Sequence, residues 1–204
     1  MTADIATRRS PLDGWTSRFT ELAPAVRLAE RPFLAQLTLR LTDTSRAAAV
    51  SRVLGVELPE TPCTFSSGTG PHGPVEVAWL GPDEYLVLAQ PGLQRTLESA
   101  LREAIGDTHG AVVDVSAQRT TLTLSGPRAR DLLAHGCAID LHPSASPIGT
   151  CVQTLLAQAG IILLVRDADA GEFVVLVRAS FATYLAAWLV DAGMEYREYR
   201  EQPV

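Results

Sequence analysis

The sequence predicts an α+β fold of duplicated split β-α-β units, mainly antiparallel sheets with helices packed on one face. Three observations lead there. Stretches with apolar residues at every second position alternate with stretches at helical spacing. The order of these stretches in the first half recurs in the second. Short clusters of Gly, Pro, Asp and Ser separate neighbouring strands, as hairpins require.

Residues 1–32 carry Pro11, Pro24 and Pro32 without sustained periodicity and read as an extended N-terminal arm. The patch from Ala25 to Ala29 is expected to pack on its own domain or a neighbour, and the Trp15–Phe19 pair reads as an interface candidate. Residues 33–116 and 117–204 then form two α+β halves of one compact, pseudo-duplicated unit.

In the first half, Phe33, Ala35, Leu37, Leu39 and Leu41 alternate with Leu34, Gln36, Thr38 and Arg40, the period of a half-buried strand. Asp43, Thr44 and Ser45 offer an N-cap to a helix with Val50, Val53 and Leu54 on its apolar face, and Gly55 closes it. The Pro-, Gly- and Ser-rich segment 57–74 reads as a loop. Val75, Val77 and Trp79 alternate, Gly81-Pro82-Asp83 turns the chain, and Tyr85 to Ala89 returns, which predicts a hairpin. Leu93, Leu97, Ala100, Leu101, Ala104 and Ile105 share one helical face, ended by Gly106. A strand over Ala111–Val115 follows.

The second half repeats the order. Thr120, Leu122 and Leu124 alternate along a strand, and Ser125-Gly126-Pro127 launches a helix that carries Leu132 and Leu133 and stops at Gly136. Cys151–Ala157, Ile161–Val165 and Phe173–Val177 read as strands. A last helix from Ser180 places Phe181, Tyr184, Leu185, Trp188, Leu189 and Ala192 on one face before Gly193. Leu37-Thr38-Leu39 overlays Leu122-Thr123-Leu124, and Glu84-Tyr85-Leu86-Val87-Leu88 overlays Glu172-Phe173-Val174-Val175-Leu176.

Composition narrows the function. The 204 residues are 47% apolar and 20% charged, enough for a real core. A net charge of −6 gives no support to a nucleic-acid or anionic-membrane partner. All 17 basic residues are Arg, so a Walker A loop, a Schiff base and pyridoxal-phosphate chemistry are excluded. Cys63, Cys137 and Cys151 are scattered and odd in number, which implies reduced thiols and no disulfide framework. The opening residues lack an apolar signal region, and runs such as Ile161–Val165 are too short to span a bilayer, so a cytoplasmic location is expected.

Few motifs carry chemistry. Gly68-Thr69-Gly70-Pro71-His72-Gly73 matches a G-x-G-x-x-G string, but two prolines and a following strand argue for a loop over a dinucleotide cradle. His135, Cys137, Asp140 and His142 lack a strong zinc spacing; His135 suits a helix C-terminus and Cys137 a small buried filler. Asp114 and Ser116 on one strand face, with Arg119 across a tight turn, form the best polar constellation. They either line a small-molecule pocket between the halves or cap the turn and pair with each other, and the second reading is favoured. No Ser/His/Asp or Cys/His nucleophile context is present. Trp188 reads as core, Trp79 as an interface candidate.

Several linked blocks resemble the gamma subunit of heterotetrameric sarcosine oxidase. They are Trp79-Leu-Gly-Pro-Asp-Glu-Tyr-Leu86, Val113-Asp-Val-Ser116, Arg119-Thr120, Leu124-Ser-Gly-Pro127, Gly136-Cys137, Asp140-Leu-His-Pro143, Cys151-Val-Gln-Thr-Leu155 and Ser180 to Leu185 with Trp188-Leu189. The resemblance covers roughly residues 75–192, plus Ser10-Pro11-Leu12. It implies an aminomethyltransferase and folate-binding-like fold. It also implies a non-catalytic chain that scaffolds alpha, beta and delta subunits. That complex demethylates sarcosine to glycine with oxygen, releases hydrogen peroxide and passes the methyl carbon to tetrahydrofolate. FAD, FMN, NAD and tetrahydrofolate are then expected on the partner subunits; the resemblance carries no catalytic, cofactor-binding or metal residue into this chain. Two other readings stay open: a stand-alone folate-binding or aminomethyltransferase-like protein with a pocket near Asp114 and Arg119, and a generic adaptor without a redox partner.

Overall fold

The alternating strands close into two sheets whose inner faces meet. The computed structural model describes residues 8–167 and 171–197. The elements begin with α1 (Thr16–Thr20) and β1 (Arg27–Glu30), followed by β2 (Ala35–Leu41), α2 (Ala47–Leu54), β3 (Phe65–Gly70), β4 (Gly73–Gly81) and β5 (Glu84–Ala89). The chain continues through α3 (Gln94–Ile105), β6 (Gly110–Asp114), β7 (Arg119–Ser125), α4 (Ala129–Ala134), β8 (Cys151–Leu156), β9 (Ala159–Asp167), β10 (Glu172–Arg178) and α5 (Ala179–Ala192). One antiparallel sheet runs β3-β4-β5-β2-β6 and the other β1-β7-β10-β9-β8.

Side-chain alternation sorts the core into layers. Odd positions such as Val87 and Ala89 on β5 pack under α2 and α3, with Leu37, Leu39, Leu54 and Leu101. Phe173, Val175 and Val177 on β10 pack under α4 and α5, with Leu132, Leu185 and Leu189. The even positions Leu86, Leu88, Leu164, Val174 and Leu176 meet between the sheets. The order is helices, sheet, sheet, helices. Central strands β5, β9 and β10 are therefore buried on both faces, which explains their unbroken apolar runs.

The expected extended arm is not what residues 8–32 form. Leu12, Phe19, Leu22, Val26 and Leu28 are buried in the core of the second sheet. β1 pairs antiparallel with β7, with Leu28 opposite Leu124. Trp15 packs against this core, with its ring 6.1 Å from that of Phe19, so the pair serves its own domain. The buried positions are irregularly spaced, so no periodicity announces them.

β1 and β6 hold equivalent places in the two sheets, and the chain exchanges them. β6 flanks β2, and β1, which precedes β2 in the chain, flanks β7. The chain thus crosses between sheets twice, at 31–34 and at 115–118. A second correction concerns the expected loop at 57–74. Residues 65–70 pair with β4 in register from Phe65–Ala78 to Gly70–Gly73. Ser-Ser-Gly-Thr-Gly has little strand propensity, and pairing alone makes it a strand.

Candidate functional site

The two crossings lie side by side and gather the predicted polar constellation. Val115 N–H donates to the Gln36 carbonyl at 2.8 Å, and Arg31 N–H donates to the Thr121 carbonyl at 2.8 Å. Ser116 Oγ accepts from the Gln36 N–H at 2.9 Å and donates to Asp114 Oδ1 at 2.5 Å. Asp114 Oδ1 also accepts from the Ser116 N–H at 2.9 Å. Gln36, 1% exposed, donates through Nε2 to the Arg119 carbonyl at 2.9 Å. Capping of the turn by Asp114 and Ser116 is thus in place, but the expected Asp114–Arg119 pair is not. The Arg119 guanidinium donates to Gln118 Oε1 at 2.5 Å instead. Burial, and then the nearby Arg178 charge, pushes the Arg119 pKa below its ordinary value. The seam's polar groups serve the chain crossing. Gln36 Oε1 and Thr121 Oγ1 are buried without a partner among the described residues.

On the other side of the crossing, Glu30 accepts hydrogen bonds from Ser10 and from Thr120. The segment 8–13 is thereby tied across β1 to β7. A small cavity of about 230 Å³ between them is lined by Ser116 and Arg119, among others, but not by Asp114.

The G-x-G-x-x-G string belongs to the β3–β4 hairpin and does not fit a dinucleotide, since no helix starts from it. Its glycines allow close packing. A Cβ on Gly70 would lie 2.3 Å from the Leu54 carbonyl oxygen, and one on Gly68 2.7 Å from that of Gly55. The hairpin's backbone thus rests directly on the C-terminus of α2.

The residues weighed for zinc go separate ways. His135, at the C-terminus of α4, lies 2.7 Å from Glu195 Oε1 and 3.0 Å from the Tyr196 hydroxyl. The Tyr196 hydroxyl and then His135 hold the Glu195 carboxyl below its ordinary range. His142 Nδ1 contacts Ser144 Oγ at 2.7 Å, and Cys137 is half-buried beside Leu156. Among the described residues no group of three or more His, Cys, Asp or Glu could hold a metal ion.

Sequence reasoning missed the charged link between the halves. Glu76 on β4 and Arg166 on β9 pair at 2.6 Å, and Glu172 stands 3.8 Å from the same guanidinium. They line a cavity of about 650 Å³ between the sheets, together with Arg31, Phe65 and Ile148. A signal was available: both residues fall on the inner faces, in register with otherwise apolar positions such as Ala78 and Leu164. Trp79, the interface candidate, is half-buried; its backbone N–H donates to the Thr64 carbonyl at 2.9 Å.

The family model described as sarcosine oxidase, gamma subunit family, matches residues 40–195. This chain belongs to the sarcosine oxidase gamma subunit family. Among its relatives, the sarcosine oxidase subunit gamma of Corynebacterium sp. (strain P-1) is 36% identical, over 93% of this chain and 91% of that one. That of an Arthrobacter species is 35% identical with the same coverage of both chains. A chain of the heterotetrameric sarcosine oxidase from Corynebacterium sp. U-96, solved in complex with pyrrole 2-carboxylate, superposes with a TM-score of 0.81 at 31% identity. The match covers 96% of this gamma-family chain and 99% of that one. The glycine cleavage system aminomethyltransferase T from Bartonella henselae superposes with a TM-score of 0.65 at 15% identity, over 91% of this chain and 50% of that one. This last likeness concerns the fold, and it agrees with the aminomethyltransferase-like fold that the family resemblance implies. No helix among the described residues is long and apolar enough to cross a membrane.

Proposed function

We propose that this chain is the non-catalytic gamma subunit of a heterotetrameric sarcosine oxidase. In this reading it scaffolds alpha, beta and delta subunits that demethylate sarcosine oxidatively to glycine, with hydrogen peroxide release and one-carbon transfer to tetrahydrofolate. FAD, FMN, NAD and tetrahydrofolate belong to the partner subunits, and the complex is cytoplasmic. The observation that carries the reading is the end-to-end superposition on a chain of a heterotetrameric sarcosine oxidase. The local chemistry supports it: the best polar constellation is spent on the chain crossing, and the glycine string on packing. The reading of residues 33–116 and 117–204 as two halves of one unit fits this role, with the addition that β1 completes the second half.

The stand-alone folate-binding alternative, with a pocket near Asp114 and Arg119, gains nothing from the geometry, since Ser116 holds Asp114 Oδ1 and the cavity that Arg119 lines does not include Asp114. The deciding experiment is purification of the tagged chain from its native host grown on sarcosine. A yellow eluate with flavin absorption, two larger chains and one smaller chain supports the proposal. A colourless chain eluting alone refutes it.

A further inference from the structure

One surface groove combines positive charge with exposed apolar side chains. It measures about 640 Å³ and runs where β7, β10, β9 and β8 end beside the start of α5, lined by Arg119, Arg178, Gln153, Leu155, Gly160 and Phe181 among others.

Arg119 and Arg178 face each other directly across the β7–β10 ladder. Like charges in register disfavour a sheet, so this placement calls for an anion. Neither makes an ion pair among the described residues. Glu84 acts on Arg119 electrostatically, but its carboxylate is held by Arg40 at 2.8 Å. A second source of positive potential lies beside the pair. α5 begins immediately after Arg178, runs 14 residues, and has neither a side-chain cap nor an acidic residue in its first turn. Its N-terminus therefore adds a partial positive charge. All this occurs on a chain of net charge −6.

Apolar surface flanks the cations. Leu155 on edge strand β8 is 51% exposed, Phe181 42% and Tyr184 41%. Phe181 and Tyr184 meet edge to face at 6.4 Å, which presents a fixed aromatic corner. Arg and aromatic side chains around an apolar centre are the composition of protein interfaces.

We propose that this groove docks an acidic segment of a partner subunit, with a carboxylate on the Arg119–Arg178 pair and an apolar side chain against Leu155 and Phe181. The inference rests on the subunit reading above and deepens it.

The test uses the assembled complex, recovered through the tagged chain from the native host. Wild type and three variants are compared: Arg178→Glu, Phe181→Asp, and Val113→Asp, an equally exposed apolar position on β6. Arg178→Glu and Phe181→Asp each lower recovery of the other subunits about tenfold or more, while Val113→Asp leaves it unchanged. If the wild-type chain recovers no subunits, the subunit reading itself fails. If wild type assembles and the groove variants assemble equally, the groove proposal is overturned. Variants that melt more than about 2 °C below wild type are set aside. Phe181→p-benzoylphenylalanine, photolysed in the intact complex, then decides. A cross-link to an Asp- or Glu-rich segment of another subunit supports the proposal; one to a second copy of this chain, or none, overturns it.

Discussion

Gly70→Ala tests whether the glycine string is there for packing. The added Cβ would meet Leu54 O at 2.3 Å, Leu54 C at 2.6 Å and Gly55 N at 2.9 Å, all backbone atoms. Comfortable carbon contacts begin at about 3.5 Å, so β3 must withdraw from α2 by about 1 Å. No flexible side chain can yield in its place. Overpacking costs about 1–3 kcal/mol, and a rigid obstacle places this site near about 3. For a chain of this size each kcal/mol shifts the melting temperature by about 2–4 °C, so a fall of about 6–12 °C is expected by calorimetry. Gly160→Ala is the control, because a Cβ there meets nothing within 4 Å. It should change stability by no more than about 0.5 kcal/mol. Equal melting of the two variants would refute the packing account and reopen a ligand-binding role for the string.

Three further outcomes are expected. Ser116→Ala removes the acceptor of the buried Gln36 N–H and should cost about 1–3 kcal/mol in urea unfolding, whereas an unchanged midpoint would show that the seam relaxes freely. Deleting residues 1–30 strips β1 from β7 and leaves an open edge, so size-exclusion chromatography should show oligomers; a well-behaved monomer would contradict the role of β1. Burial pushes the Cys151 thiol from 9.0 up to about 12 and also raises Cys137, so a maleimide at pH 8 should label exposed Cys63 first. Because the folded-state value is raised, the Cys151 contribution to stability is complete below pH 9.0 and is lost as pH rises toward about 12. Cys151→Ala should flatten the alkaline fall in melting temperature, and an identical fall would exclude the thiol as its source.

Much of the fold was legible because its elements carry their own periodicity. β2, β7 and α3 each carry their leucines on one face, and their spacing states it. The exchange of β1 and β6 was not legible, because nothing local distinguishes a strand that joins its own sheet from one that joins the next. β3 was hidden for a related reason, since its residues are chosen for absence of bulk against α2. The polar seam was half legible. Asp114 and Ser116 cap the turn as their spacing suggests, while the Arg119 guanidinium binds Gln118 and not Asp114, which no spacing states.

The α+β class, the internal repeat and the gamma-family blocks can all be read along the chain, since each resides in local order or in residue identity. The stacking of the sheets inner face to inner face, the meeting of Glu76 with Arg166 between them and the placement of Arg119 opposite Arg178 arise in the assembled fold. Those outcomes join residues 59 to 90 positions apart. Distances of that kind are set by how whole sheets bury their apolar faces, which no short stretch of chain records.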